Sequence, residues 1–188
     1  MKKLIKYFLP VLTGLLCIAF VGTNEKVTAQ NSPLKVVFIR HGEKPEKGGN
    51  LTCKGLNRSL MLPALITGKF GVPNFVYVPT LKMDEKTSHA RMFETVVPLA
   101  AKYNLEIDSK YDEKDSAGVA TDIMQKTGTV LVVWEHKAIR GILHSLGVQD
   151  APKWSDDDYD TILIVTIANG KATLTKDSEG LKPSDNCP

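Results

Sequence analysis

Three short apolar runs rich in β-branched residues, each separated from the next by segments of helical period, constrain this 188-residue chain more than any other feature. Leu34 to Ile39 is the first run, Phe75 to Val78, stopped by Pro79, the second, and Val130 to Trp134 the third. Strands that are apolar almost throughout are strands covered on both faces, and the helices needed to cover them fall between them. Thr52 is placed to cap a helix over about 54 to 68 and Ser88 one over about 89 to 103. A further helix is expected over about 116 to 126. Ile139, Ile142, Leu143 and Leu146 form one buried stripe closed by Gly147. Pro63 and Pro98 lie inside two of these segments and predict kinks rather than breaks. Thr161 to Ile167, then Asn169-Gly170, then Ala172 to Leu174 reads as a hairpin, because Asn-Gly supplies the positive φ angles of a tight turn. The pattern predicts an α/β chain: a three-layer αβα sandwich around a mostly parallel central sheet.

One domain is expected, over residues 34–181, with 30–33 as a short disordered lead-in and 182–188 as a tail. No repeat or long linker divides it, and a chain of this size buries roughly two-thirds of its unfolded surface in one core. With 43% hydrophobic and 24% charged residues, wholly disordered and low-complexity readings fall away. Residues 1–29 read as a secretory signal: Lys2, Lys3 and Lys6 precede an uncharged run from Tyr7 to Val21, and Val27, Thr28 and Ala29 offer a cleavage site. That run is shorter than the roughly 20 apolar residues of a membrane-spanning helix. A lipoprotein anchor on Cys17 is disfavoured by Leu16, where a small residue is wanted. The expected destination is therefore the periplasm or the extracellular space.

Removal of that segment changes the electrostatics. Of 24 Lys and Arg and 21 Asp and Glu, it holds Lys2, Lys3, Lys6, Lys26 and Glu25, so the remainder has no net charge. Nothing in that balance calls for nucleic acid or an anionic membrane as partner, and no stable membrane insertion of the mature chain is expected. Cys53 and Cys187 are then the only cysteines, an even pair that in an oxidising compartment is compatible with one disulfide or with two free thiols.

Ligands of a parallel sheet gather at the carboxyl ends of its strands. The first strand ends in Arg40, His41, Gly42, Glu43 and Lys44. A buried Arg-His pair there serves no packing purpose that Leu or Val would not serve better, and Gly42 lets a ligand approach the backbone. The guanidinium fork suits phosphate oxygens, while neutral imidazole is a nucleophile. Arg91 falls in the first turn of the second helix, where a bound anion would relieve its unfavourable interaction with the helix dipole. His136 follows the third strand.

With those residues in place the chain resembles the histidine phosphatase superfamily, which includes phosphoglycerate mutases, acid phosphatases and phosphohistidine phosphatases. RHGEK at 40–44, LTCKGLNR at 51–58, SHARMFET at 88–95 and WEHKAI at 134–139 carry the resemblance. It implies a phosphoglycerate mutase-like fold and a small phosphorylated substrate, with neither cofactor nor metal. It also implies that His41 is the nucleophile that becomes phosphohistidine, that Arg40 and Arg91 bind phosphate, and that His136 is the second active-site histidine.

The proton donor for the leaving group departs from the family pattern. Lys137 stands where phytase-like members carry Asp, and Glu135, by strand alternation, is expected to point away. Asp112 and Glu113 are the remaining candidates, and Glu113 is favoured. The histidines at 41, 89, 136 and 144 lack the i, i+4 spacing of a helical zinc site. Asp156 to Asp158 lacks the glycine and distal Glu of a calcium loop and reads as a solvated turn. Three functional classes follow: an exported phosphatase turning over a phosphomonoester through His41, an envelope protein that binds phosphorylated ligands with little turnover, or a structural envelope protein in which the pocket is vestigial.

Overall fold

A computed structural model describes residues 33–83 and 87–188. The signal segment expected over 1–29 lies outside the described residues. The elements run β1 (Leu34–Arg40), α1 (Cys53–Phe70), β2 (Phe75–Tyr77), β3 (Lys82–Met83), β4 (Thr87–Ser88), α2 (Ala90–Tyr103), β5 (Ile107–Asp108), α3 (Ser116–Ile123), β6 (Thr129–Trp134), α4 (His136–Ser145), β7 (Thr161–Ala168) and β8 (Lys171–Ser178). Six strands form one sheet in the order β5-β2-β6-β1-β7-β8. β5, β2, β6 and β1 are mutually parallel, and β7 runs antiparallel to β1.

The strand order explains the layers. From β1 the chain steps outward to β2 and then β5, so right-handed crossovers put α1 and α2 on one face. It then returns to β6, between β2 and β1, which puts α3 and α4 on the other face. Alternate residues of β1 and β6 divide accordingly. Val37, Ile39, Leu131 and Val133 pack with Leu62 and Ile66 of α1 and Met92, Val96 and Leu99 of α2. Val36, Phe38, Val130 and Val132 pack with Val119 and Ile123 of α3 and Ile139, Ile142 and Leu143 of α4. Both faces are dry, as the unbroken apolar strands require.

Thr52 caps α1, its hydroxyl accepting the Gly55 N–H at 3.1 Å. Pro63 and Pro98 lie within α1 and α2, and both helices continue through them. Ser88 does not cap α2. It pairs with Lys82 in the β3–β4 ladder, which holds it extended, and His89 becomes the cap position at φ 63°. The expected hairpin forms, with Asn169 at φ 51° and Gly170 at φ 72°. α3 ends at Ile123, earlier than expected, and the two-residue β5 is too short to leave a periodic trace in the sequence.

The tail over 182–188 is tied back to α1. Cys187 is disulfide-bonded to Cys53 at the start of α1. Asn57 Nδ2 donates to the carbonyls of Ser184 at 2.9 Å and Asn186 at 2.6 Å, and Leu181 packs on the α1/α2 side of the core. Among the described residues no helix is long and apolar enough to cross a membrane.

The disulfide spans a sequence separation of 134, so it constrains most of the unfolded chain. Cys187→Ser is expected to lower stability by about 2–5 kcal/mol, read as a fall in the urea midpoint with the tail bonds to Asn57 lost.

Candidate active site

The parallel pairing of β1 with β6 sets Arg40 opposite Trp134, and the His41 N–H donates to the Trp134 carbonyl at 3.3 Å. This brings the two strand ends, and hence Arg40, His41 and His136, to one place at the carboxyl edge of the sheet. β6 ends at Trp134, and Glu135 turns the chain directly into α4 by accepting the N–H groups of Lys137 at 2.6 Å and Ala138 at 3.2 Å. Strand alternation therefore no longer governs Glu135. Instead of pointing away, its Oε1 lies 2.7 Å from His136 Nδ1, off the direction of a hydrogen bond.

Arg40 is 2% exposed. Its Nη1 is shared among the carbonyls of Ser155 (3.2 Å), Asp156 (3.0 Å) and Asp158 (2.8 Å), and its Cζ lies 3.8 Å from the centroid of the Tyr159 ring. Nε and Nη2 are buried and, among the described residues, have no partner. Two unsatisfied guanidinium donors in the interior are costly unless an anion takes them, and together they form the fork that matches two oxygens of one phosphate. Burial pulls the Arg40 guanidinium below its ordinary value, opposed by the nearby Tyr159, Glu135, Asp158 and Asp156.

His41 is buried beside it. Its Nδ1 lies 2.7 Å from the Gly42 carbonyl, so Nδ1 carries the proton and Nε2 keeps its lone pair. Nε2 has no hydrogen-bond partner among the described residues. Burial pushes the His41 imidazole down to about 4, reinforced by the charges of Arg40, Arg91 and His136 and opposed by the Gly42 hydrogen bond. An imidazole held neutral, with one nitrogen fixed and the other bare, has the chemistry a nucleophile needs.

Arg91 reaches the same place from the first turn of α2. Thr95 Oγ1 accepts the Gly42 N–H at 2.8 Å and donates to the Arg91 carbonyl at 2.7 Å, which clips that turn to the residue after His41. Arg91 Nη1 also donates to the Gly48 carbonyl at 3.2 Å. His136, 2% exposed, has Nε2 2.6 Å from Asp156 Oδ1. The four expected residues thus come together, with Arg40, Arg91 and His136 all acting electrostatically on His41.

Glu113 has its Oε2 3.3 Å from His89 Nε2, while Asp112 is paired with Lys82 at 2.8 Å. That ion pair, with the Lys114 backbone N–H, holds the Asp112 carboxyl below its usual range, which makes it a poor proton donor. Among the described residues no three His, Cys, Asp or Glu side chains cluster as metal ligands.

No protein-family model matches this sequence, and no curated protein matches it significantly. Solved structures do. A phosphoserine phosphatase mutant from Entamoeba histolytica, in complex with phosphoserine, superposes with a TM-score of 0.55 at 15% identity, covering 78% of this chain and 97% of its own. A mycobacterial glucosyl-3-phosphoglycerate phosphatase with inorganic phosphate gives 0.55 at 12%, covering 76% and 95%. A phosphoglycerate mutase from Bacillus anthracis gives 0.52 at 12%, covering 77% and 92%. The fold is phosphoglycerate mutase-like. It is the fold of the superfamily that the sequence motifs resemble.

Within this phosphoglycerate mutase-like fold, the sequence reading missed the segment Ser155–Tyr159. Asp156 to Asp158 is not merely a solvated turn, because its carbonyls saturate one nitrogen of Arg40 and leave the other two free. Tyr159 covers Arg40 and meets His41 edge-on, with centroids 6.3 Å apart. Backbone carbonyls leave no side-chain signature, although a Tyr beside three acids was a visible feature.

The glycines of RHGEK and LTCKGLNR meet across the loop. A Cβ on Gly55 would fall 2.5 Å from the Glu43 carbonyl oxygen, and one on Gly42 would fall 2.9 Å from the Gly55 oxygen. Gly55→Ala is expected to destabilise the protein by about 1–3 kcal/mol and to displace His41, measurable as a lower melting temperature together with weaker phosphate binding. For His41 itself, heteronuclear NMR is expected to show the Nδ1–H tautomer at pH 7 and no protonation until about pH 4. Because the folded value lies below the unfolded one near 6.5, the unfolded chain takes up the proton first as pH falls. About 3 kcal/mol of stability is therefore lost between roughly pH 6.5 and 4 in the wild type, a slope that His41→Asn should flatten in urea titrations.

Proposed function

We propose that this chain is an exported phosphatase that hydrolyses a phosphomonoester, without a metal, through a phosphohistidine on His41. One observation carries the reading: buried Arg40 has two unpartnered donors beside an imidazole whose Nδ1 is committed and whose Nε2 is free. Substrate phosphate would fill the Arg40 fork, with Arg91 closing from α2 and a phosphate oxygen replacing Asp156 on His136 Nε2. His41 Nε2 attacks phosphorus and the P–O bond to the alcohol breaks in line with it. The fixed cations stabilise the charge that spreads over the equatorial oxygens. Glu113 gives its proton to the departing alkoxide. Water then attacks the phosphohistidine, returning a proton to Glu113 and freeing inorganic phosphate and His41. The Cys53–Cys187 disulfide supports an oxidising compartment and hence export. If export is correct, the protein recovered outside the cytoplasm begins at Gln30.

A ligand-binding protein with little turnover is the second reading. It is favoured by the acids, since Glu113 lies against His89 and Asp112 is paired with Lys82, and neither is seen on the leaving-group side of His41. p-Nitrophenyl phosphate in EDTA separates the two. A phosphatase releases p-nitrophenolate and leaves a base-stable, acid-labile phosphoenzyme, and both are lost in His41→Ala. A binder retains phosphate affinity and releases nothing. Arg40→Ala is expected to lower kcat about 10²–10³-fold. Glu113→Gln is expected to slow alkyl phosphates more than p-nitrophenyl phosphate, whose leaving group needs little protonation.

A further inference from the structure

One anion in the phosphate cup belongs to the chain itself. Asp156 Oδ1 lies 2.6 Å from His136 Nε2, and an ionised carboxylate can only accept, so Nε2 carries the proton and donates the bond. That bond and the approach of Lys137 Nζ, 3.4 Å from the same oxygen, hold the Asp156 carboxyl below its usual range, which keeps it charged. The backbone and the side chain of Asp156 are held in opposite ways. Its carbonyl accepts from Arg40 Nη1 at 3.0 Å, beside bonds from the same nitrogen to Ser155 and Asp158, so the segment is pinned. Its side chain is 75% exposed, whereas that of His136 is 2% exposed. Turning the carboxylate away therefore needs only rotation about side-chain bonds, into water that already surrounds most of it. Such a turn uncovers a buried imidazole N–H, which must find another acceptor.

The cup thus presents two kinds of donor. Arg40 Nε and Nη2 have no partner among the described residues and can take phosphate oxygens at once. His136 Nε2 has one, and a phosphate oxygen reaches it only by displacing Asp156. Lys137, whose side chain is 70% exposed, gives the displaced carboxylate a cation on the solvent side. We infer that Asp156 is an internal competitor for the phosphate position: its carboxylate holds His136 until substrate phosphate takes that N–H, and returns to it as inorganic phosphate leaves. Competition of this kind weakens substrate and product alike, and so keeps a cup of fixed cations from being held by its own product. The inference rests on the proposed phosphate cup and adds to it a control on affinity and release.

The test titrates inorganic phosphate by calorimetry into His41→Ala, which removes turnover, and into His41→Ala/Asp156→Asn. The second protein is expected to bind about tenfold more tightly, because an amide oxygen is a neutral acceptor that gives up the imidazole N–H readily. Asp157→Asn in the same background is the control. It removes an equal charge from the neighbouring exposed side chain, which is bonded to the Ser155 hydroxyl instead, and is expected to change affinity by less than about twofold. With His41 restored, Asp156→Asn is expected to lower KM and the phosphate inhibition constant together while kcat/KM holds or rises. A carboxylate that served His136 in the chemical step would instead cost kcat/KM when removed. Phosphate affinity unchanged or weakened by Asp156→Asn, an equal gain from Asp157→Asn, or a fall in kcat/KM overturns the inference. The expected gain in a protein that never releases p-nitrophenolate would count against the phosphatase reading alone. No gain in an active enzyme would count against the competitor alone, and no phosphate binding by any of the variants against the cup and the competitor together.

Discussion

The parallel ladder between β1 and β6 is the constraint on which the rest depends. Its register sets Arg40 against Trp134, and both strands stop within a residue or two of that pair. Two buried strands ending side by side, each running straight into a polar residue, place a guanidinium and two imidazoles at one edge of a dry sheet. Only burial makes this arrangement chemically distinctive. In water Arg40 would hydrate its spare donors and His41 would titrate near its ordinary value, whereas inside the protein both are set to receive an anion.

A second ring of contacts keeps that edge rigid. Glu43 takes Arg58 by two bonds, at 3.0 and 2.8 Å, and Arg58 also pairs with buried Glu179. The three side chains join the loop after His41 to α1 and to the segment following β8. Burial pushes the Glu179 carboxyl up to about 7 despite Arg58, so this anchor is costly to desolvate and holds through its geometry. With Gly42 against Gly55 and Thr95 against the Gly42 N–H, α1 and α2 both grip the same few backbone atoms.

Much of this was legible in the sequence, for definable reasons. β1 and β6 are apolar at every inner position, Thr52 has the capping geometry, and Asn169-Gly170 supplies the two left-handed residues of a hairpin turn. Arg40, His41, Arg91 and His136 were identifiable because each follows or opens an element whose type could be read. Other features follow from tertiary context. Ser88 lies in a two-residue ladder, and Glu135, one residue past the end of β6, turns its side chain to cap α4. The contribution of residues 155–158 is made by carbonyl groups, which every residue has. The even cysteine pair pointed to the bridge that holds the tail, whereas the bonds from Asn57 join residues more than a hundred positions apart and leave no local trace.

The bond between His41 Nδ1 and the Gly42 carbonyl also determines which isomer of the modified side chain can exist. With that nitrogen spent, any phosphoryl group must reside on the tele position and never on the pros one. Were His41 phosphorylated, antibodies selective for the two isomers would give opposite answers on it, reporting which way the ring faces without a crystal.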